Sequence, residues 1–186
     1  VSFTDGRIFV KGKKTVRGER KRADIILSYK PNLPIAVIEA KDNKHYVSDG
    51  IQQALAYAET LDIPVAISSN GDGFSIRYRK GCGPQNTAGE PIVVEERDLE
   101  HFPTIDEIWN CYKRYKGIDT PEVETIATQD YFVDNSGYKP RYYQQIAINR
   151  TVEAIAKGQD RILLVMATGT GKTYTLAAYY VGLLLS

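Results

Sequence analysis

The chain has 186 residues, 42% of them hydrophobic and 25% charged, which is ordinary for a globular protein and enough for one good core plus the beginning of another. A net charge of +1 excludes any argument for nucleic acid from bulk charge. Cys82 and Cys111 lie far apart without metal-ligand spacing, which fits a reducing compartment and leaves both as incidental residues; no signal peptide or apolar run of membrane length is evident.

In chain order, the sequence opens at Val1 without a Met, as expected of a fragment. Phe9 to Thr15 alternates around Gly12-Lys13 and predicts a hairpin. Between Lys11 and Arg22, seven basic residues face only Glu19, a segment that either holds a nucleic-acid backbone or is a solvated hairpin. Two apolar, β-branched runs come next, Ala23 to Tyr29 and Ile35 to Lys41, separated by Lys30-Pro31-Asn32-Leu33-Pro34. They predict neighbouring strands joined by a tight connection. In a strand, residues two apart share a face, so Glu39 and Lys41 project together while Ala40 points away. If the strands pair, Asp24 lies beside Glu39.

Two carboxylates so close repel each other unless a cation sits between them, and hard oxygen donors suit Mg²⁺. Such an ion stabilises the charge of a phosphodiester transition state, and Lys41 is placed to orient the attacking water or neutralise the phosphate. Taken alone, the Glu-Ala-Lys triplet is an ordinary strand end with solvated charges. The buried strand before it and the partner Asp24 set a metal site beside that reading. Ser48 to Leu61 then predicts an amphipathic helix with Gln53 and Tyr57 on one face.

Pro64 to Ser69 predicts a third strand, buried on both sides, and Phe74 to Arg79 a half-exposed one after the turn Ser69 to Gly73. This order indicates an α/β fold built on a mixed sheet with helical cover. Gly81 to Pro91 is a loop, and Pro103 to Tyr115 a helix whose stripe (Ile105, Ile108, Trp109, Tyr112) closes a first domain over 1–116. Polar, weakly periodic residues 117–137 are expected to link it to a second domain over 138–186. There, Pro140 to Lys157 predicts a helix ended by Gly158, and Arg161 to Ala167 a buried strand. That strand runs into Ala167-Thr168-Gly169-Thr170-Gly171-Lys172-Thr173 and a helix, the arrangement of a phosphate loop. Backbone N–H groups of Thr168 to Gly171 and the helix start cradle a β-phosphate, Lys172 reaches the β- and γ-phosphates, and Thr173 ligates Mg²⁺. Met166 stands where the full pattern has its first glycine.

Asp24, Glu39-Ala40-Lys41 and Gln53-Ala54-Leu55-Ala56-Tyr57 resemble the PD-(D/E)xK nuclease motifs with the Q-x-x-x-Y motif of the RecB-like branch. The resemblance implies a restriction-endonuclease-like mixed sheet with flanking helices. Asp24 and Glu39 would bind Mg²⁺ with the Ala40 carbonyl, Lys41 would be the catalytic lysine, and Gln53 and Tyr57 would support the site and the DNA. Ala23 stands where many relatives have proline, and the acidic residue that many relatives carry on an earlier helix is expected to precede the start of this sequence. The Met-Ala-Thr-Gly-Thr-Gly-Lys-Thr loop, with Arg141-Tyr142-Tyr143-Gln144 upstream, resembles superfamily-2 helicase-like ATPases, which implies the first part of a RecA-like parallel domain. Gln144 would then read the adenine edge, Tyr142 or Tyr143 would seat the base, and Arg141 would belong to the same ATP site.

In this order the two motif sets resemble the restriction subunit of type I restriction–modification enzymes over nearly the whole chain. That resemblance implies a cytoplasmic complex with modification and specificity subunits, away from any membrane. It would pull double-stranded DNA with ATP and cut it at a distance. The sequence ends at Ser186 without an acidic strand to complete the ATP site, so this span alone is expected to bind nucleotide weakly and not to hydrolyse it. Two other readings stay open: a helicase-type ATPase whose first domain only binds DNA, and a module docking the motor onto partner subunits.

Overall fold

The computed structural model describes residues 2–4, 8–11, 14–17, 20–129 and 140–177. Four short strands, β1 (Ser2–Thr4), β2 (Ile8–Lys11), β3 (Lys14–Arg17) and β4 (Arg20–Arg22), form two antiparallel pairs, β1 with β4 and β2 with β3. The second pair is the hairpin expected between Phe9 and Thr15.

The main sheet has five strands in the order of the chain: β5 (Ile25–Lys30), β6 (Leu33–Ala40), β7 (Val65–Ser69), β8 (Gly73–Tyr78) and β9 (Val94–Asp98). All neighbours are antiparallel except β6 and β7, which run parallel. A parallel pair needs a crossover, supplied by α1 (Ile51–Thr60). β6 is an interior strand buried on both faces, which is why its sequence is a continuous apolar run. On one face, Val37 and Ala66 pack under α1 with Ala54, Tyr57 and Ala58. On the other, Ile38, Ile67 and Ile76 meet α2 (Ile105–Lys116) through Ile108, Trp109 and Tyr112. Trp109 is core, as expected, and stacks on Tyr29 with ring centroids 4.0 Å apart.

Three expectations are corrected. Cys82 and Cys111 are not incidental: Cys111, on the buried face of α2, is joined to Cys82 within the core, with Cα atoms 4.8 Å apart. A separation of 29 residues in sequence hid a neighbourhood that only the docking of α2 creates. Residues 161–167, expected as a buried strand, form no strand with any of the described residues, and Leu163 is 88% and Val165 82% exposed. An apolar run becomes a strand only against a ladder partner. Inside the segment read as polar linker lies a helix, α3 (Pro121–Ala127), started by Thr120 and a proline in its first turn. Glu124 of α3 accepts hydrogen bonds from Trp109 Nε1 at 2.7 Å and Lys113 Nζ at 3.3 Å, which anchors it to α2.

The helix α4 (Tyr142–Ala156) packs against α3 and docks on the first core through charges. Asp62, two residues beyond the last residue of α1, holds a left-handed backbone (φ 56°). Its Oδ2 accepts from Lys116 Nζ at 2.7 Å and Arg150 Nε at 2.9 Å, and its Oδ1 from Tyr115 Oη at 3.0 Å. Buried Glu153 accepts from Tyr112 Oη at 2.9 Å. Burial pushes the Asp62 carboxyl up, but the Arg150 and Lys116 cations outweigh it and hold it well below the usual range. Glu153 goes the other way, raised by burial that the Lys116 charge only partly offsets.

Candidate active site

The β5–β6 register brings the predicted carboxylates together. Ile25 pairs with Ile38, so one step further Asp24 stands opposite Glu39. Asp24 Oδ2 accepts a hydrogen bond from the Ala40 N–H at 3.0 Å, which pins this carboxylate to the end of β6. Lys41 continues the parallel ladder by donating its N–H to Ser69 O at 2.8 Å. Its side chain shares the face of Glu39, and Nζ donates to Glu39 Oε1 at 3.0 Å.

α1 supplies the rest of the site. Lys41 Nζ also donates to Gln53 Oε1 at 3.3 Å, and Gln53 Nε2 donates to Tyr57 Oη at 2.8 Å. The five predicted residues Asp24, Glu39, Lys41, Gln53 and Tyr57 therefore form one connected cluster across two strands and a helix.

Glu39 is 3% exposed, and its Oε2 is buried without a hydrogen-bond partner among the described residues. A buried carboxylate oxygen without a partner costs free energy unless a cation or proton satisfies it. Burial, and then the facing Asp24 charge, push its carboxyl pKa up, against the pull of Lys41. Both facts mark a position that a divalent cation would relieve. No group of three or more His, Cys, Asp and Glu side chains that could hold a metal occurs among the described residues; the oxygens that could face a cation at this point are those of Asp24, Glu39 and backbone carbonyls such as that of Ala40. Oxygen donors of this kind, with few protein ligands, fit Mg²⁺.

Gly50 and Ser68 were missed in the sequence. Gly50, buried just before α1, donates its N–H to Ser68 Oγ at 3.1 Å, and Ser68 is Glu39's register neighbour on β7. A glycine where a Ser or Asp cap is usual, and a serine ending an apolar strand, were the faint signals available.

The second predicted cluster lies at the other end of the chain. Gly169 and Gly171 adopt φ of 79° and 80°, which shapes the loop, and residues 172–177 are helical. Lys172 Nζ folds back on its own loop, donating to Met166 O at 3.3 Å and Ala167 O at 3.1 Å. Thr168 and Thr173 are exposed, and Thr170 Oγ1 donates to Ala167 O at 2.6 Å. Gln144 is buried: its Oε1 accepts from the Arg141 N–H at 2.9 Å, and its Nε2 donates to Thr170 O at 3.1 Å. Tyr143 Oη reaches the same carbonyl at 3.3 Å and accepts from the Arg141 guanidinium at 3.1 Å. The Arg141–Gln144 turn and the loop thus form a single bonded unit, in which the Gln144 amide is engaged with the backbone.

Residues 137–185 match the family model described as type III restriction enzyme, res subunit. Over 176 residues, 94% of the chain, the sequence is 48% identical to the type I restriction enzyme EcoAI endonuclease subunit of Escherichia coli, and covers 21% of it. Against the EcoKI endonuclease subunit of Escherichia coli the identity is 28% over 95% of the chain and 16% of that subunit. A solved fragment of an HsdR subunit of a type I restriction enzyme from Vibrio vulnificus superposes with a TM-score of 0.73 at 41% identity, covering 98% of this chain and 32% of that one. The chain spans about a fifth of the length of the curated relatives it matches.

Proposed function

The chain is a homologue of type I restriction enzyme endonuclease subunits, and on that premise we propose that its five-stranded sheet carries a Mg²⁺-dependent DNA endonuclease site joined to the phosphate loop of an ATP-driven translocase. The observation that carries this reading is the buried, unpartnered Oε2 of Glu39, facing Asp24 and flanked by Lys41. We assign residues 1–116 to the nuclease, 117–137 to the connection and 138–186 to the first part of the motor.

Asp24, Glu39 and the Ala40 carbonyl would hold the ion. Mg²⁺, when bound there, supplies positive charge to the attacked phosphodiester and acidifies a water. Lys41, held at 3.0 Å from Glu39 and 3.3 Å from Gln53, keeps an ammonium over the reacting phosphate, where it can orient the water or neutralise developing charge. Gln53, braced by Tyr57, fixes that ammonium. In the second cluster, Lys172, which donates to the loop carbonyls of Met166 and Ala167, would turn to the β- and γ-phosphates of ATP, the backbone N–H groups of Thr168 to Gly171 would cradle them, and Thr173 would ligate the nucleotide's Mg²⁺. Gln144 would read the adenine edge, Tyr142 or Tyr143 would seat the base, and Arg141 would belong to the same ATP site. The substrate is double-stranded DNA, and the partners are the modification and specificity subunits of a type I restriction–modification complex.

Plasmid cleavage with Mg²⁺ and ATP, in the complex with those partners, tests the reading. Asp24→Ala and Lys41→Ala are each expected to lose about 100-fold or more in cleavage while ATP turnover continues. Cleavage retained in both variants would make the carboxylate cluster structural and leave a helicase-type ATPase with a DNA-binding or docking first domain.

A further inference from the structure

We propose that Gly50 is a positioning residue of the cleavage site: its lack of a side chain, against the Ser68 hydroxyl, leaves the space in which Glu39 and Lys41 stand. The inference rests on the nuclease reading above and concerns residues that neither touch the substrate nor titrate. Gly50 has φ −84° and ψ −8°, a conformation open to any L-residue, so its backbone does not require glycine. Space does. A Cβ built on Gly50 would lie 2.6 Å from Ser68 Oγ, 3.1 Å from Glu39 Cγ and 3.2 Å from Lys41 Cε. Those three atoms belong to the hydroxyl that accepts the Gly50 N–H and to the shafts of the two functional side chains.

The local sequence runs against helix preference to keep this space. The start of α1 has no side-chain cap, although a Ser, Thr, Asp or Asn there would ordinarily favour the helix. The Gly50 N–H is satisfied instead by Ser68, wholly buried on β7 and paired in register with Glu39. Ser68 is held by its strand on one side and by Gly50 on the other. A methyl group on Gly50 therefore forces the Ser68 hydroxyl aside, breaking its fit to the Gly50 N–H, and presses the Glu39 and Lys41 side chains away by a few tenths of an ångström. Sites of this kind tolerate displacements of only about 0.5 Å before function suffers.

The test uses Gly50→Ala, Ser68→Ala and the double variant, with Asp24→Ala as reference, in the protein assembled with its partner subunits. Two readouts are taken: plasmid cleavage beside ATP turnover, and Ca²⁺ affinity of the metal-free protein by calorimetry. Gly50→Ala is expected to lower cleavage about 10- to 100-fold and weaken Ca²⁺ binding, with ATP turnover kept. Ser68→Ala alone changes either by a few-fold at most. In the double variant, removing the hydroxyl makes room for the methyl, and about 10-fold of the lost cleavage returns with the Ca²⁺ affinity. Wild-type cleavage and Ca²⁺ binding in Gly50→Ala, or a double variant no better than Gly50→Ala, overturns the inference. Should Gly50→Ala fail to fold, the double variant decides: folding with Ca²⁺ binding close to that of Ser68→Ala supports the inference, and a double variant that also fails to fold, or that binds Ca²⁺ far more weakly than Ser68→Ala, overturns it. Normal cleavage by Asp24→Ala defeats the nuclease reading itself, whereas its loss beside a normal Gly50→Ala defeats only this inference.

Discussion

Gln53 works in two directions at once, accepting from Lys41 Nζ through Oε1 and donating to Tyr57 Oη through Nε2. Only a side-chain amide offers an acceptor and a donor on the same plane at this reach, so the relay is sensitive to small changes. Gln53→Ala is expected to lower cleavage about 10- to 100-fold, the usual effect of losing a group that orients a functional one. Tyr57→Phe leaves Gln53 able to hold Lys41 and has a smaller effect; plasmid cleavage rates of the two variants, compared with ATP turnover, check the order. At this scale the sequence was readable wherever chemistry has a spacing. Glu39 and Lys41 two apart on a strand, and Gln53 and Tyr57 four apart on a helix, obey the periods of the two structures. Gly50 and Ser68 have no such pattern, because a fit between a helix start and a neighbouring strand is a property of distance, not of sequence.

Elements with a hydrophobic period were legible, and those held by charge were not. β9 reads Val94-Glu95-Glu96-Arg97-Asp98, with no apolar alternation to mark a strand. It forms because Arg97 turns inward between Glu95 at 3.0 Å and Glu107 at 2.9 Å, while Tyr78 Oη donates to Glu95 at 2.8 Å. These pairs occupy the open edge of the sheet with charge, which also discourages edge-to-edge association. Glu107 also closes the capping box of α2, accepting from the Thr104 N–H at 2.7 Å while Thr104 Oγ1 accepts from the Glu107 N–H at 3.2 Å. Thr104→Ala removes one half of that exchange and is expected to lower stability by about 1 kcal/mol, read as a fall of a few degrees in Tm.

Across the whole molecule, α4 joins the two predicted sites. At its N-terminal end Gln144 and Tyr143 hold the glycine-rich loop at Thr170, and further along Arg150 and Glu153 grip the core that carries the Glu39 cluster. Asn149 Nδ2 adds a contact at 3.2 Å to Asn32 O, in the turn between β5 and β6. The domain division read from composition did not reveal this grip, since Asp62 and Arg150 are 88 residues apart and each alone reads as a surface charge. Asp62→Asn is expected to lower stability at neutral pH by about 1–2 kcal/mol, discounted for the exposed Arg150 side chain. Because the folded carboxyl lies below its unfolded value, this contribution is present above about pH 4 and is lost as pH falls further. Denaturant melts of both proteins across about pH 2 to 8 check the window: the gap should be constant at high pH and narrow below about pH 4.

The spans of these contacts also set an order of assembly. Ala40 meets Asp24 across 16 residues and Lys41 meets Gln53 across 12, whereas Arg150 reaches Asp62 across 88. Closing the longer loop costs about 1.5 kcal/mol more chain entropy than closing the 16-residue one. The short closures come first as the chain grows from its N-terminus, so the cluster around Glu39 is complete before α4 is available to dock. The part of the molecule that would cut is thus a local product of the chain, and its attachment to the loop that would bind ATP is a late, long-range event.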